Sequence, residues 1–110
     1  MLVGSPVPQF DVFRNSTSRS SDNIPYLVDV QADVLATLNS RVVIPLYRAA
    51  AIPRPISTLQ PTFTVEGESV VMSTRELAGV PMHALGGRVG TLAADRASII
   101  AALDLLFTGV

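Results

Sequence analysis

The clearest periodic pattern of apolar side chains lies near the end of the chain. Its apolar positions are Ile99, Ile100, Leu103, Leu106 and Phe107. Because they recur at helical spacing, we predict an amphipathic helix whose apolar face packs against a sheet. We expect this helix to begin after Leu92 and to end at Gly109, since helices commonly end at a glycine in the left-handed conformation.

Two aspartates bear on this helix. Asp95 falls near its positive end, where a negative charge is favourable. Asp104 falls in the last turn, where a negative charge costs a few tenths to about 1 kcal/mol. Asp104 is therefore either a solvated side chain screened by salt or a residue kept for a function that outweighs helix stability.

Alternation of apolar and polar residues predicts strands earlier in the chain. Residues 9–13 alternate over a short segment, and residues 26–34 alternate cleanly. In the second segment one face holds Tyr26, Val28, Val30, Ala32 and Val34. The polar side chains of that segment fall on the opposite face, so we predict a half-buried strand. Residues 14–23 hold no apolar side chain that needs burial and predict a mobile loop.

Residues 41–46 begin with Arg41 and continue as an apolar run, which predicts a strand covered on both faces, with Pro45 at its end or at a sheet edge. Prolines interrupt residues 47–61 and predict a connection, although the sequence also allows a short strand at 56–59.

The next segments predict a hairpin, a turn, a strand and a loop. Residues 63–65 and 69–72 flank a short glycine-containing link, which is typical of a β-hairpin. Residues 74–78 indicate a turn with brief helical character. Residues 80–85 predict a strand, and the glycine-rich stretch 86–91 predicts a loop leading into the helix.

These elements together predict a mainly β protein, a compact antiparallel barrel or sandwich that carries one C-terminal helix. A chain of 110 residues is long enough for one hydrophobic core and too short for two. We therefore expect a single domain over residues 9–110, preceded by a flexible lead-in at residues 1–8.

Composition and charge narrow the function classes. The apolar content of 48% and the mean hydropathy of +0.42 exclude wholesale disorder. A formal charge of −1 gives no general attraction to nucleic acid or anionic lipid. The absence of cysteine excludes disulfides and thiolate catalysis, and it is compatible with a reducing cytoplasm.

The sequence offers no pattern for a cofactor or for catalysis. Asp29, Gln31 and Asp33 are spaced like the start of an EF-hand calcium loop. Val34 and Ser40, however, stand where that loop requires glycine and a bidentate glutamate. The single histidine cannot form a paired-histidine metal site, and no serine lies in a nucleophile elbow. We expect no metal, no cofactor and no enzymatic activity.

Five segments carry a resemblance to one protein family. In order they are QFDVF at 9–13, LVDVQAD at 27–33, VIPL at 43–46, VP at 80–81 and LLFTGV at 105–110. They resemble the CcdB-type toxins, the gyrase poisons of plasmid-addiction modules. The match runs from about residue 9 to the last residue.

The resemblance implies an SH3-like barrel of antiparallel strands with a C-terminal α-helix, acting in the cytoplasm as a homodimer without a membrane partner. It also implies a CcdA-like antitoxin that binds through an unfolded segment, and operator DNA reached only through that antitoxin. The implied target is the A subunit of DNA gyrase, trapped in its DNA-cleavage complex. We expect a homodimer on a second ground, because residues 42–46 and the helix stripe offer more apolar surface than a small domain easily buries.

In this family the gyrase contact centres on the end of the chain, where a tryptophan, a glycine and an aliphatic residue follow a phenylalanine. The matching gyrase-binding residues here are Val34, Leu35, Asp104, Phe107, Thr108, Gly109 and Val110. Thr108 replaces the family tryptophan. Since a tryptophan anchor often contributes at least about 2 kcal/mol to binding, we expect weakened gyrase binding.

The antitoxin is expected to bind at residues 14–23 and 41–55, where arginines suit an acidic peptide that folds on binding. These antitoxin-binding residues are Arg14, Arg19, Arg41, Arg48 and Arg54.

Three functions from different classes follow. The first is a gyrase poison weakened at position 108. The second is a non-toxic or retargeted protein of the same fold that binds its antitoxin and co-represses its operon. The third is an endoribonuclease of the same fold, for which the sequence offers neither a convincing acid–base pair nor a basic RNA groove.

Overall fold

The computed structural model describes residues 8–17, 22–35 and 38–110. Arg19 and the rest of residues 18–21 lie outside these ranges, as do residues 1–7 of the expected lead-in. The strands of the described part are β1 (Asp11–Asn15), β2 (Tyr26–Asp29), β3 (Ser40–Arg48), β4 (Thr62–Val65), β5 (Glu68–Met72), β6 (Ala78–Pro81) and β7 (Leu85–Thr91). One helix follows, α1 (Arg96–Thr108).

All strand pairs are antiparallel, and the sheet order is β4-β5-β3-β2-β1-β7, with β6 paired to β3. The sheet curls into a half-barrel, and α1 adds its buried residues to the same core. The prediction of a mainly β antiparallel fold with a C-terminal helix is confirmed. In the part of the chain that the structure describes, no helix is long and apolar enough to cross a membrane.

β3 is the central strand, and it pairs with three other strands. It pairs with β2 on one side, and on the other with β6 at residues 40–43 and β5 at residues 46–48. The prediction that Pro45 ends the strand or marks an edge is wrong, because Pro45 lies inside β3 opposite Leu27. Its carbonyl accepts the Ser73 N–H at 3.0 Å, on the side where pairing passes from β6 to β5. The missing N–H of proline therefore falls in a gap between two partner strands.

β2 ends earlier than its alternation predicts. The strand stops at Asp29, and Asp33–Leu35 forms a 3-10 turn instead of continuing the ladder. The apolar face is buried at Tyr26, Val28 and Val30, but the predicted apolar partner Val34 is exposed. The opposite face is not solvated either, since Asp29 is fully buried there.

The β4–β5 hairpin is confirmed. Its two turn residues, Glu66 and Gly67, have φ of 51° and 77°. Positive φ at both central positions is the type I′ geometry that matches the twist of a hairpin. Ion pairs from Arg14 to Glu66 and from Arg48 to Glu68 fasten this turn to β1 and β3.

The chain between β5 and α1 differs from its prediction. The turn at Thr74–Glu76 is confirmed, but the strand predicted over 80–85 ends at Pro81, and a 3-10 turn follows. The glycine-rich stretch is not a loop; it forms β7, which pairs with β1. Glycine also occurs in strands where another backbone approaches closely. Gly-Gly therefore does not by itself indicate a loop. The short strand allowed at 56–59 does not form.

Gly86 leaves no room for a side chain beside β1. A Cβ at Gly86 would lie 2.7 Å from the carbonyl oxygen of Arg14, whereas a Cβ at Gly87 would meet nothing within 4 Å. We expect Gly86→Ala to lower the free energy of unfolding by about 1–3 kcal/mol through overpacking. Gly87→Ala is the matched control and should stay close to wild type. Urea denaturation of the two variants tests this, and equal stabilities would contradict it.

α1 begins and ends as predicted. Gly109 adopts φ 79°, and its N–H donates to the Leu105 carbonyl at 3.0 Å. Ile99 and Ala102 are buried against the sheet, and Ile100 and Leu103 pack at the edge of that core. Phe107 was wrongly assigned to the buried stripe, since it is 69% exposed.

One hydrophobic core joins the strands to the helix. Its members are Phe10, Val12, Tyr26, Val28, Val30, Ile44, Leu46, Phe63, Val65, Val70, Met72, Leu92, Ile99 and Ala102. Since Val43, Ile44 and Leu46 are buried within the chain, surplus apolar surface at residues 42–46 is no argument for a homodimer.

Candidate functional site

The last turn of α1 gathers five of the predicted gyrase-binding residues. They are Asp104, Phe107, Thr108, Gly109 and Val110, and all of them are exposed. Phe107 is 69% exposed and Val110 is 89% exposed. The left-handed Gly109 turns the chain between these two apolar side chains. The helix end is therefore an apolar projection rather than a packed terminus.

Thr108 is exposed as well, but its hydroxyl bonds back to its own helix. Its Oγ1 donates a hydrogen bond to the Asp104 carbonyl at 2.7 Å, one turn back along the helix. A threonine hydroxyl commonly satisfies itself in this way on a helix. The side chain thus satisfies a carbonyl of the last turn and offers a partner little apolar area.

A second exposed apolar patch lies after β2. Val34 is 69% exposed and Leu35 is 46% exposed on the Asp33–Leu35 turn. Leu38, at 48% exposed, extends this patch, and it is not among the residues predicted to bind gyrase. The sequence could have indicated Leu38 as part of this patch. It lies three residues after Leu35, beyond the point where the strand alternation stops. Leu38 also lines an open groove of ≈ 560 Å³ with Asn39, Ser40, Gly79, Val80 and Pro81.

A buried ion pair joins β2 to β3. Arg41 Nε donates to Asp29 Oδ2 at 2.6 Å and Arg41 Nη2 donates to Asp29 Oδ1 at 3.1 Å, with both side chains 0% exposed. Burial raises the pKa of Asp29, while the hydrogen bond from Arg41 opposes that rise. Arg41 is therefore not on the surface of the chain, so its side chain is unavailable to an antitoxin. An arginine in a strand pattern normally indicates a solvated face, and nothing in the spacing reveals its buried carboxylate partner.

Two of the predicted antitoxin-binding arginines meet at the β4–β5 turn. Arg14 Nη2 lies 3.1 Å from Glu66 Oε1, and Arg48 pairs with Glu68 on the other side of that turn. Arg54 is exposed in the segment after β3. Arg14 and Arg48 thus lie near the same turn, and each forms an ion pair with a glutamate of this chain.

The calcium-like triad does not converge on one point. Asp29 faces Arg41 inside the chain, whereas Asp33 is exposed and accepts the Gln9 N–H at 2.6 Å. Among residues 8–17, 22–35 and 38–110, no three His, Cys, Asp or Glu side chains are grouped to hold a metal ion. His83 is exposed in the Met82–Ala84 turn.

The chain matches a known protein family. The family model described as the CcdB protein matches residues 9–109. The matched span begins two residues before β1 and includes both exposed apolar patches as far as Gly109.

Proposed function

The chain belongs to the CcdB family, whose members are toxins of toxin–antitoxin pairs, and on this premise we propose that it inhibits DNA gyrase. It binds the gyrase A subunit and traps the enzyme in its DNA-cleavage complex. The action is stoichiometric binding in the cytoplasm, without catalysis by this chain.

The observation that carries the proposal is the exposed end of α1. Phe107 and Val110 hold most of their surface in water, although each would gain roughly 1.5–3 kcal/mol on full burial. Neighbouring exposed apolar side chains on a small protein commonly mark a binding site. Asp104, unfavourable at a helix C-terminus, lies on the same turn.

Thr108 predicts a weakened toxin. Aromatic anchors dominate binding energy at protein interfaces, and a threonine that bonds back to its own helix replaces that anchor here. The same observation favours a second candidate function. In this alternative the protein is non-toxic or retargeted, and it keeps only antitoxin binding and co-repression of its operon.

The antitoxin is proposed to bind through an acidic segment. Its carboxylates would replace Glu66 and Glu68 as the ion-pair partners of Arg14 and Arg48. Such exchange is inexpensive because exposed ion pairs contribute only about 0–1 kcal/mol each. Arg54 is available to the same peptide. We propose a homodimer on the grounds of family membership, with operator DNA reached only through the antitoxin.

Inducible expression combined with an assay on purified gyrase tests the proposed function. We expect growth inhibition that co-expression of the neighbouring antitoxin gene relieves, together with accumulation of gyrase-cleaved DNA. Growth inhibition without cleaved DNA would indicate a different target. Normal growth, no cleaved DNA and intact antitoxin binding would favour the non-toxic alternative.

A further inference from the structure

The Asp33–Leu35 turn presents its apolar side chains without anchoring them in the core. None of its three residues is buried. Backbone hydrogen bonds run locally, from the Leu35 N–H to the Ala32 carbonyl at 2.9 Å and from the Leu38 N–H to the Leu35 carbonyl at 3.1 Å. A single 3-10 turn is short and has poorer hydrogen-bond geometry than an α-helix. Its position on the protein must therefore come from contacts outside the turn.

The first such contact is the side chain of Gln31, which is 5% exposed. Its Nε2 donates to the Leu35 carbonyl at 2.8 Å, and its Oε1 accepts the Val42 N–H at 3.1 Å. The Gln31 N–H in turn donates to Asp29 Oδ1 at 2.9 Å. Gln31 thus ties the last residue of the turn to β3 and to the buried ion pair.

The second contact holds the other end of the turn. Asp33 Oδ1 accepts the Gln9 N–H at 2.6 Å. The Gln9 side chain donates from Nε2 to the Val30 carbonyl at 3.1 Å, and its Oε1 accepts from Arg96 Nη1 at 3.3 Å. Asp33 therefore ties the first residue of the turn to the segment before β1, which also contacts the first residue of α1.

We propose that Gln31 and Asp33 are positioning residues for the partner-binding surface formed by Val34 and Leu35. Each fixes one end of the turn with a side-chain hydrogen bond, so the apolar side chains between them are held outward before the partner arrives. Such preorganisation lowers the entropy lost on binding. This inference rests on the proposed gyrase-binding function and names residues that act through Leu35 rather than by touching the target.

Two variants at Asp33 separate positioning from direct contact. Asp33→Ala removes the acceptor for the Gln9 N–H at an exposed position, and Asp33→Asn keeps an oxygen acceptor while removing the charge. We expect Asp33→Ala to weaken binding to the purified gyrase A subunit about five- to tenfold, because a turn that has lost the hydrogen bond at its first residue must be ordered when the partner binds. Asp33→Asn should retain most of the affinity. Affinity for the antitoxin peptide should change little in either variant, and the melting temperature should fall by no more than about a few degrees in Asp33→Ala and less in Asp33→Asn.

A double-mutant cycle with Leu35→Ala supplies the readout that a merely structural role would not change. If Asp33 acts through Leu35, adding Asp33→Ala to Leu35→Ala should cost almost no further affinity. Gln31→Met has a side chain of similar length but cannot donate to the Leu35 carbonyl at the end of the turn. It should also weaken gyrase binding, and adding it to Leu35→Ala should likewise cost almost no further affinity. In the free protein, exchange of the Leu35 and Leu38 amide hydrogens should accelerate in Asp33→Ala and Gln31→Met but not in Asp33→Asn.

Unchanged exchange in Asp33→Ala would overturn the proposal, and so would faster exchange with unchanged gyrase affinity. Additive losses in the double-mutant cycle would also overturn it, in favour of direct contact by Asp33. If the wild-type protein does not bind the A subunit, the proposed function fails first. That result is distinguishable because it appears before any variant is compared.

Discussion

Arg41→Met is expected to lower the free energy of unfolding by about 3–5 kcal/mol, because it leaves the Asp29 carboxylate buried without its cation. Both side chains are 0% exposed, so water cannot replace the lost partner without opening the sheet. Domains of this kind are stable by only about 5–15 kcal/mol, so the loss is a large part of the total. Urea denaturation measures it directly.

Two further variants sharpen this test. Arg54→Met removes an exposed arginine and should change stability by no more than about 0.5 kcal/mol. The second variant combines Arg41→Met with Asp29→Asn. The asparagine removes the uncompensated charge and keeps an oxygen acceptor for the Gln31 N–H. That double variant should be more stable than Arg41→Met alone. If Arg41→Met and Arg54→Met cost the same, Arg41 does not compensate a buried charge.

Thr108→Trp is expected to strengthen binding to the gyrase A subunit by about tenfold or more, the usual effect of a buried aromatic anchor. Position 108 is exposed on the last turn, so the larger side chain should disturb the core little. The hydrogen bond that is lost joins Thr108 to the Asp104 carbonyl, which water can solvate in its place. Calorimetry with the purified A subunit gives the affinity, and growth inhibition should increase in parallel.

Gly109→Glu should have the opposite effect. It places a charged side chain at φ 79°, between the two apolar residues of the helix end. Thr64→Trp, on an exposed position of β4, controls for non-specific attraction by an added indole. Melting temperatures report folding of each variant. Equal affinities for wild type, Thr108→Trp and Gly109→Glu would show that the end of α1 is not a gyrase site in this protein.

The parts of the fold that local chemistry decides could be predicted from the sequence. The α1 stripe and its stop at Gly109 follow from periodicity and from left-handed glycine, and the β4–β5 hairpin follows from Glu66 and Gly67. The errors at Pro45 and at the glycine-rich stretch have a different cause, since both depend on a partner distant in the chain. Pro45 is tolerated because β3 changes partners beside it, and β7 forms because β1 offers it an edge.

The candidate site shows the same division. Phe107 and Val110 were identified from the family resemblance and are exposed, but the pattern of residues alone assigned Phe107 to the core. The prediction of antitoxin binding requires Arg41 to be accessible, but it is buried, and its spacing gives no sign of Asp29 twelve residues earlier. The contacts of Gln31 and Asp33 could not be predicted, because they join the turn to Val42 in β3 and to Gln9 before β1. The exposure of Leu38 likewise depends on the folded arrangement.

The pairing of β1 with β7 has a consequence for synthesis of the protein. β1 is made first, yet its second neighbour in the sheet extends to residue 91, and the helix that completes the core follows later still. Until then one edge of β1 is an open template for pairing with other chains. Contacts this distant in sequence also slow folding, because the intervening chain must be ordered before they form. The core is therefore complete only after Ile99 and Ala102 of α1 have left the ribosome.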